Sequence, residues 1–403
     1  MKRIELLAPA GNLEKVKWAF MYGADAVYLG GRDYSLRANA TNLSVDEIKE
    51  ACIYAHKLDK KVYVTVNIVF HNEDIEGLKE YLIKLYEIGV DAVIVSDPLV
   101  ITLIKEVVPN LEIHISTQQN SLNYEVCNFW YEEGAKRVVL GRETSKNDMQ
   151  SILKNSPVDI EVFIQGAMCV SYSGRCVLSN YFTNRDSNRG GCSQICRWNF
   201  DLYDEYKNKI SNDNDFAITV KDLTLIPHIG ELIDMGITSL KIEGRMRSIY
   251  YVATVLHVYR KAIDEYYKTG KIENIDKLTY ELFRCANRDS VVQFFDKKPG
   301  VEEQYYSNRD EVSNKDFLGV VLDYDEESKE IVLEQRNYFE KGDSVTIFGP
   351  NIEDFDLRVN YIKDKDNNMI DVARHPQEIV RIPCNKKVYK DDIIRVNFNA
   401  ENK

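Results

Sequence analysis

Residues 23–30 read GADAVYLG, and residues 89–97 read GVDAVIVSD. In each, a glycine ends a helical stretch and the chain passes within three residues into a short apolar strand. GAKRVVLGRE at 134–143 and GITSLKIEGR at 236–245 repeat the join. The residues ahead of the glycines have helical spacing. Leu13, Val16, Ala19 and Phe20 share one face before Gly23, and Ile75, Leu78, Leu82 and Leu85 share one before Gly89. Ser44 and Glu47 form a capping box for a helix over 44–58. Asp97 and Pro98 supply the cap and first turn of another.

Extended outward, the pattern predicts strands at 4–7, 26–29, 62–67, 92–95, 112–116, within 134–143, at 159–164 and at 239–242. Helices are expected between them, including 74–88, 123–133, 144–154 and 222–235, and a long one over 246–267. Strands that alternate with helices imply right-handed βαβ units and a parallel sheet. Eight of them point to an α/β fold, a (β/α)8 TIM-like barrel; an open doubly wound sheet is the alternative.

One connection breaks the rhythm. The segment after the seventh strand spans about 165–221, far beyond a usual βα loop, and reads as a functional insertion. It carries Cys169, Cys176, Cys192 and Cys196, spaced C-x6-C, fifteen residues, then C-x3-C, with Gly166, Gly174, Gly190 and Gly191 beside them. Three readings are open from spacing: an iron–sulfur cluster, which tolerates irregular ligand spacing; zinc, which usually shows two tight pairs; and unligated or redox thiols. The other four cysteines are separate from this group: Cys52 and Cys127 fall on apolar helix faces, and Cys285 and Cys384 are isolated.

Strand parity adds a second signal. Glu5; Tyr63, Thr65 and Asn67; His114, Ser116 and Gln118; Glu161 and Gln165; and Lys241 and Glu243 alternate with apolar residues. In a barrel one side of each strand faces the helices and the other the lumen. A polar lumen is costly unless it forms a site, and such sites lie at the C-terminal strand ends. Asn67, Ser116, Gln118, Arg142, Glu143, Gln165, Glu243 and Arg245 are therefore expected around one mouth. Glu161 with Lys241 reads equally as a buried structural ion pair, and His114 as a core histidine.

The chain has 403 residues, 44% of them hydrophobic, enough for a large core and more than one domain. Its net charge of −12 disfavours general nucleic-acid coating. The start, MKRIELLAPAG, lacks an apolar signal core and no run of about eighteen apolar residues occurs, so a cytoplasmic protein without membrane contact is expected. After about Pro299 helical periodicity stops and apolar and polar residues alternate. Two domains are expected: 1–298, the barrel with its insertion, and 299–403, a small antiparallel β-barrel.

The run Glu161-x-Phe163-x-x-Gly166-Ala167-Met168-Cys169-x4-Gly174-x-Cys176-x-Leu178-Ser179 resembles the signature of the collagenase-like peptidase family, numbered U32. The likeness extends from LAPAGN (7–12) to KIEGR (241–245) and includes the C-terminal RNYFEKGD. Members with this layout are similar to prephenate-dependent RNA hydroxylases. Those make 5-hydroxyuridine at the tRNA wobble position or modify a ribosomal RNA cytidine, and other relatives hydroxylate a quinone precursor. The resemblance implies a 4Fe-4S cluster on Cys169, Cys176, Cys192 and Cys196, prephenate as co-substrate, tRNA as partner, and either a second family subunit or a homo-oligomer. The family label implies proteolysis as the competing activity. The residues favour the hydroxylase: no H-E-x-x-H or G-x-S-x-G occurs, and clustered thiolates suit redox chemistry. The expected roles are Arg142, Arg245, Gln118, Gln165 and Arg175 for substrate binding, and Glu143, Glu243 and Asn67 for catalysis. Arg175, Arg185, Arg189 and Arg197, interleaved with Tyr172, Tyr181 and Trp198, make a local basic and aromatic patch able to hold RNA.

Overall fold

The computed structural model describes residues 3–36, 42–211, 216–286, 288–306 and 316–397. Seven parallel strands run in sequence order: β1 Glu5–Pro9, β2 Ala26–Gly30, β3 Lys61–Val66, β4 Ala92–Val95, β5 Glu112–Ile115, β6 Arg137–Val139 and β7 Asp159–Gly166. A closing strand, Ser239–Ile242, pairs in parallel with both β7 and β1, so the ring is a closed eight-stranded barrel. The expected joins form as read. Gly23, Gly89, Gly134 and Gly236 all take positive φ after a helix. Ser44 and Glu47 make the reciprocal capping box, and Asp97 caps the helix that starts at Pro98.

Helices Leu13–Met21, Val45–His56, Leu78–Glu87, Pro98–Val107, Tyr124–Glu132 and Lys146–Asn155 cover the barrel. The 21-residue helix Ile249–Thr269 follows the closing strand. Two expectations fail locally. Ile75 is 42% exposed, because Gly77 at φ +79° starts the helix afresh at Leu78. The helix expected at 222–235 spans only Ile229–Met235. Pro227 has no N–H to continue a helix from residues before it. Asp222–Thr224 is instead a strand, antiparallel to the end of β7, on the edge that β6 leaves open beyond Glu161, where Leu225 N–H donates to the Ile164 carbonyl.

The C-terminal part is an antiparallel eight-stranded sheet centred on Ile393–Val396, Phe317–Asp325 and Glu330–Gln335. Val321, Ile331, Leu333, Val345, Ile347 and Ile382 form its own core. Val320, Phe348 and Ile393 belong instead to the barrel-side core. Polar contacts reinforce this junction: His257 and Lys261 both bind Asp354, at 2.9 and 2.8 Å, and Arg284 donates to Asp316 and to the Val396 carbonyl. No helix among the described residues is long and apolar enough to cross a membrane.

Candidate functional site

The lumen is layered. At its base the inward residues of β1, β3, β5, β6, β7 and the closing strand meet in a charge network. Arg137 binds Glu5 at 2.6 Å and Glu161 at 2.9 Å, Lys241 binds Glu161 at 2.8 Å, and Tyr63 and Ser239 donate to Glu5. Glu161 is fully buried. Burial alone would raise its pKa; the charges of Lys241 and Arg137 outweigh burial and hold it at about 2. His114 is also fully buried, edge-on to Tyr63, and burial lowers its pKa, as befits a core histidine. The expected Glu161–Lys241 pair is thus real, but it is half of a larger set. For Arg137 the sequence offers only its alternation with Val138 as a sign of inward placement.

Above this layer lies a cavity of about 220 Å³, open at the C-terminal strand ends. Its walls include Tyr28, Thr65, Asn67, Ser116, Gln118, Arg142, Phe163, Lys241, Glu243 and Arg245. Arg142 lies over Phe163, 3.9 Å from the ring centroid, binds Glu243 at 3.2 Å and donates to the Ala167 carbonyl. Tyr28 donates to the Ile242 carbonyl at 3.0 Å and sits 3.5 Å from Glu243 Oε2. Arg245 is buried and donates to Ser35 and Thr65 at 3.0 and 3.1 Å and to the Leu36 carbonyl. Gly30 makes that seat possible, since a Cβ there would stand 2.4 Å from Arg245 Nη1. Asn67 donates to Ser116 at 3.2 Å.

Three expected site residues lie elsewhere. Gln165 is buried outside the cavity, accepting from Tyr259 Oη of the long helix at 2.9 Å. A β-bulge causes this: Phe163 pairs with Lys241 but Gln165 pairs with Ile242, so one extra β7 residue reverses the parity. Arg175 is exposed on the insertion and does not line the cavity. Glu143 sits beneath the insertion, where Ser173 donates to it through N at 2.8 Å and Oγ at 3.1 Å and Asn120 donates to the same carboxylate. Tyr28 and Phe163, conversely, line the cavity although the sequence gives them no site role; Phe163 shares the inward parity of Glu161, but an aromatic there reads as core.

The insertion covers the mouth, and Cys169, Cys176, Cys192 and Cys196 all line the cavity. Glu143 holds one end of it. On the other side Arg189 grips Asp74 with two bonds, 2.5 and 3.0 Å, and donates to the Val69 carbonyl. Ser187 and Asn188 both donate to the Cys176 carbonyl, tying the two cysteine pairs together. Burial raises the pKa of Cys196, Arg197 opposes this, and the other three thiols add to it, so each of them lies near Cys196. None of the eight cysteines is in a disulfide. Among the described residues no three His, Cys, Asp or Glu side chains are grouped to hold one metal ion. A tetrahedral zinc gathers sulfurs at ~2.3 Å from a single point; a four-iron cluster spreads its thiolates over separate irons. Four thiols around one cavity are a donor set of the size such a centre takes.

Comparison with known proteins agrees with this layout. The model of peptidase family U32 matches residues 11–305, and that of its C-terminal domain matches 313–395. A Bacillus subtilis relative named tRNA hydroxylation protein P1 is 50% identical over 98% of this chain and 95% of its own length. The Escherichia coli tRNA hydroxylation protein P is 33% identical, covering 87% of each chain. The Escherichia coli 23S rRNA 5-hydroxycytidine C2501 synthase is 37% identical over 65% of this chain and 39% of its own. By signature, barrel and appended sheet, this chain belongs to peptidase family U32.

Proposed function

We propose that this protein hydroxylates RNA, with the wobble uridine of tRNA as substrate, prephenate as co-substrate and a 4Fe-4S cluster held by Cys169, Cys176, Cys192 and Cys196. The observation that carries the reading is the placement of all four thiols on the same cavity as three cationic side chains, in a chain half identical to a tRNA hydroxylation protein along nearly its whole length. The cluster would supply one-electron chemistry at the mouth. Arg142 and Arg245, fixed in the walls, orient carboxylates. Glu243 Oε2, set between Arg142 and Tyr28, is the wall carboxylate able to take or return a proton. Tyr172, Tyr181, Phe182 and Trp198 stand exposed on the insertion with Arg175 and Arg185, and offer RNA stacking faces and cations beside the opening.

Mass spectrometry of tRNA from a deletion strain tests this. Nucleosides derived from 5-hydroxyuridine should disappear, and their persistence at the parental level would overturn it. The same digest of ribosomal RNA covers the second reading, a cytidine hydroxylase, which the 23S relative favours. A peptidase would instead cleave gelatin as purified, iron-free protein; among the described residues no histidine lines the cavity to serve as its base.

A further inference from the structure

The cavity floor carries a cation with hydrogen-bonding capacity to spare. Lys241 lines the cavity while only 4% exposed, and its Nζ lies 4.4 Å from the Tyr28 ring centroid and 5.4 Å from that of Phe163. An ammonium has three N–H donors. One goes to Glu161 Oε1 at 2.8 Å; among the described residues no second acceptor lies within hydrogen-bonding reach. Arg142 and Arg245 differ, because their guanidiniums are engaged by wall oxygens on two sides. Glu161 is also bound by Arg137, so its charge stays matched if Lys241 turns toward a ligand. The lining bears Arg142, Lys241 and Arg245 against one carboxylate, Glu243, a local positive excess in a chain of net charge −12. Tyr28 and Phe163 place apolar faces beside the ammonium, and Ile94 lines the same cavity. At about 220 Å³ the space is below the range of drug-sized ligands, which suits a small acid.

We infer that Lys241 anchors a subsite on the cavity floor for a carboxylate or carbonyl oxygen of a small ring-bearing acid, the ring lying against Tyr28 and Phe163. The subsite stands on this geometry; naming prephenate as its acid rests on the hydroxylase reading. Calorimetric titration of prephenate into protein purified without oxygen tests it. Lys241→Met should weaken binding tenfold or more with iron content unchanged and the protein still folded at the titration temperature, though less stable for the loss of the Glu161 pair, and Lys241→Arg should restore most of the binding. Binding by the Met variant within twofold of the parent would overturn the subsite. If that variant fails to fold, Lys241→Gln, which keeps an N–H for Glu161, carries the same tenfold expectation and twofold limit. Phenylpyruvate is the second probe. A parent that binds phenylpyruvate in a Lys241-dependent way but not prephenate keeps the subsite and loses the co-substrate; a parent that binds neither loses both.

Discussion

At the scale of single residues, Glu161 shows how a barrel can hold charge in its interior. Two cations share one carboxylate, and removing the carboxylate alone would leave Lys241 buried without an anion and Arg137 with Glu5 only. Glu161→Gln is expected to cost about 3–5 kcal/mol in urea unfolding; a loss under 1 kcal/mol would mean water reaches the lumen base. The pH dependence has a definite sign. The folded pKa, about 2, lies below the ordinary 4.5, so the folded state binds fewer protons than the unfolded one between them. The stabilisation is complete above about pH 4.5 and is lost as pH falls toward 2. Between pH 5 and 3 the parent should lose more stability than Glu161→Gln, and equal losses would contradict the pairing.

At the scale of the element, the cysteine insertion is long but not loose. It is pinned to the β6 end by Glu143 and to the β3 loop by Asp74, and it closes on the barrel at Gly174. There φ is +71°, and a Cβ would stand 2.2 Å from the Gln118 carbonyl oxygen. A side chain at 174 must lift the turn between Cys169 and Cys176. Gly174→Val should therefore lower iron per chain at least twofold in anaerobic preparations and speed thiol labelling of the iron-free protein. Unchanged iron and labelling would show that the turn does not set the sulfur positions. Glu143 illustrates the gap between reading and placement: the sequence shows a carboxylate at a strand end, where catalysts sit, but its oxygens are occupied by Ser173 and Asn120.

At the scale of the whole molecule, the barrel and the C-terminal sheet share a core. Phe348 is fully buried, 5.1 Å from the His257 ring, 6.2 Å from Tyr22 and under the Arg395 guanidinium. A junction that joins a shared apolar core to buried ion pairs makes the two parts unfold together. Calorimetry of the parent should show one transition. Phe348→Ala, a large-to-small change in a closed core, should cost about 3–5 kcal/mol and separate or broaden it. A single transition at the parental temperature would show that the sheet is only tethered.

The sequence by itself determined the barrel and the grouping of chemistry. The glycine-to-strand joins at Gly23, Gly89, Gly134 and Gly236, and the alternation of Tyr63, Thr65 and Asn67, are local signals, and local signals survive folding. The cysteine spacing marked four thiols as a set. Tertiary structure alone decided which polar residues face the cavity. A one-residue bulge in β7 turned Gln165 away, and pairing across the barrel made Arg137 part of the base and left Lys241 on the floor. Parity is counted along one strand, whereas register and closure are agreed between strands distant in the chain; no reading of either strand alone contains them.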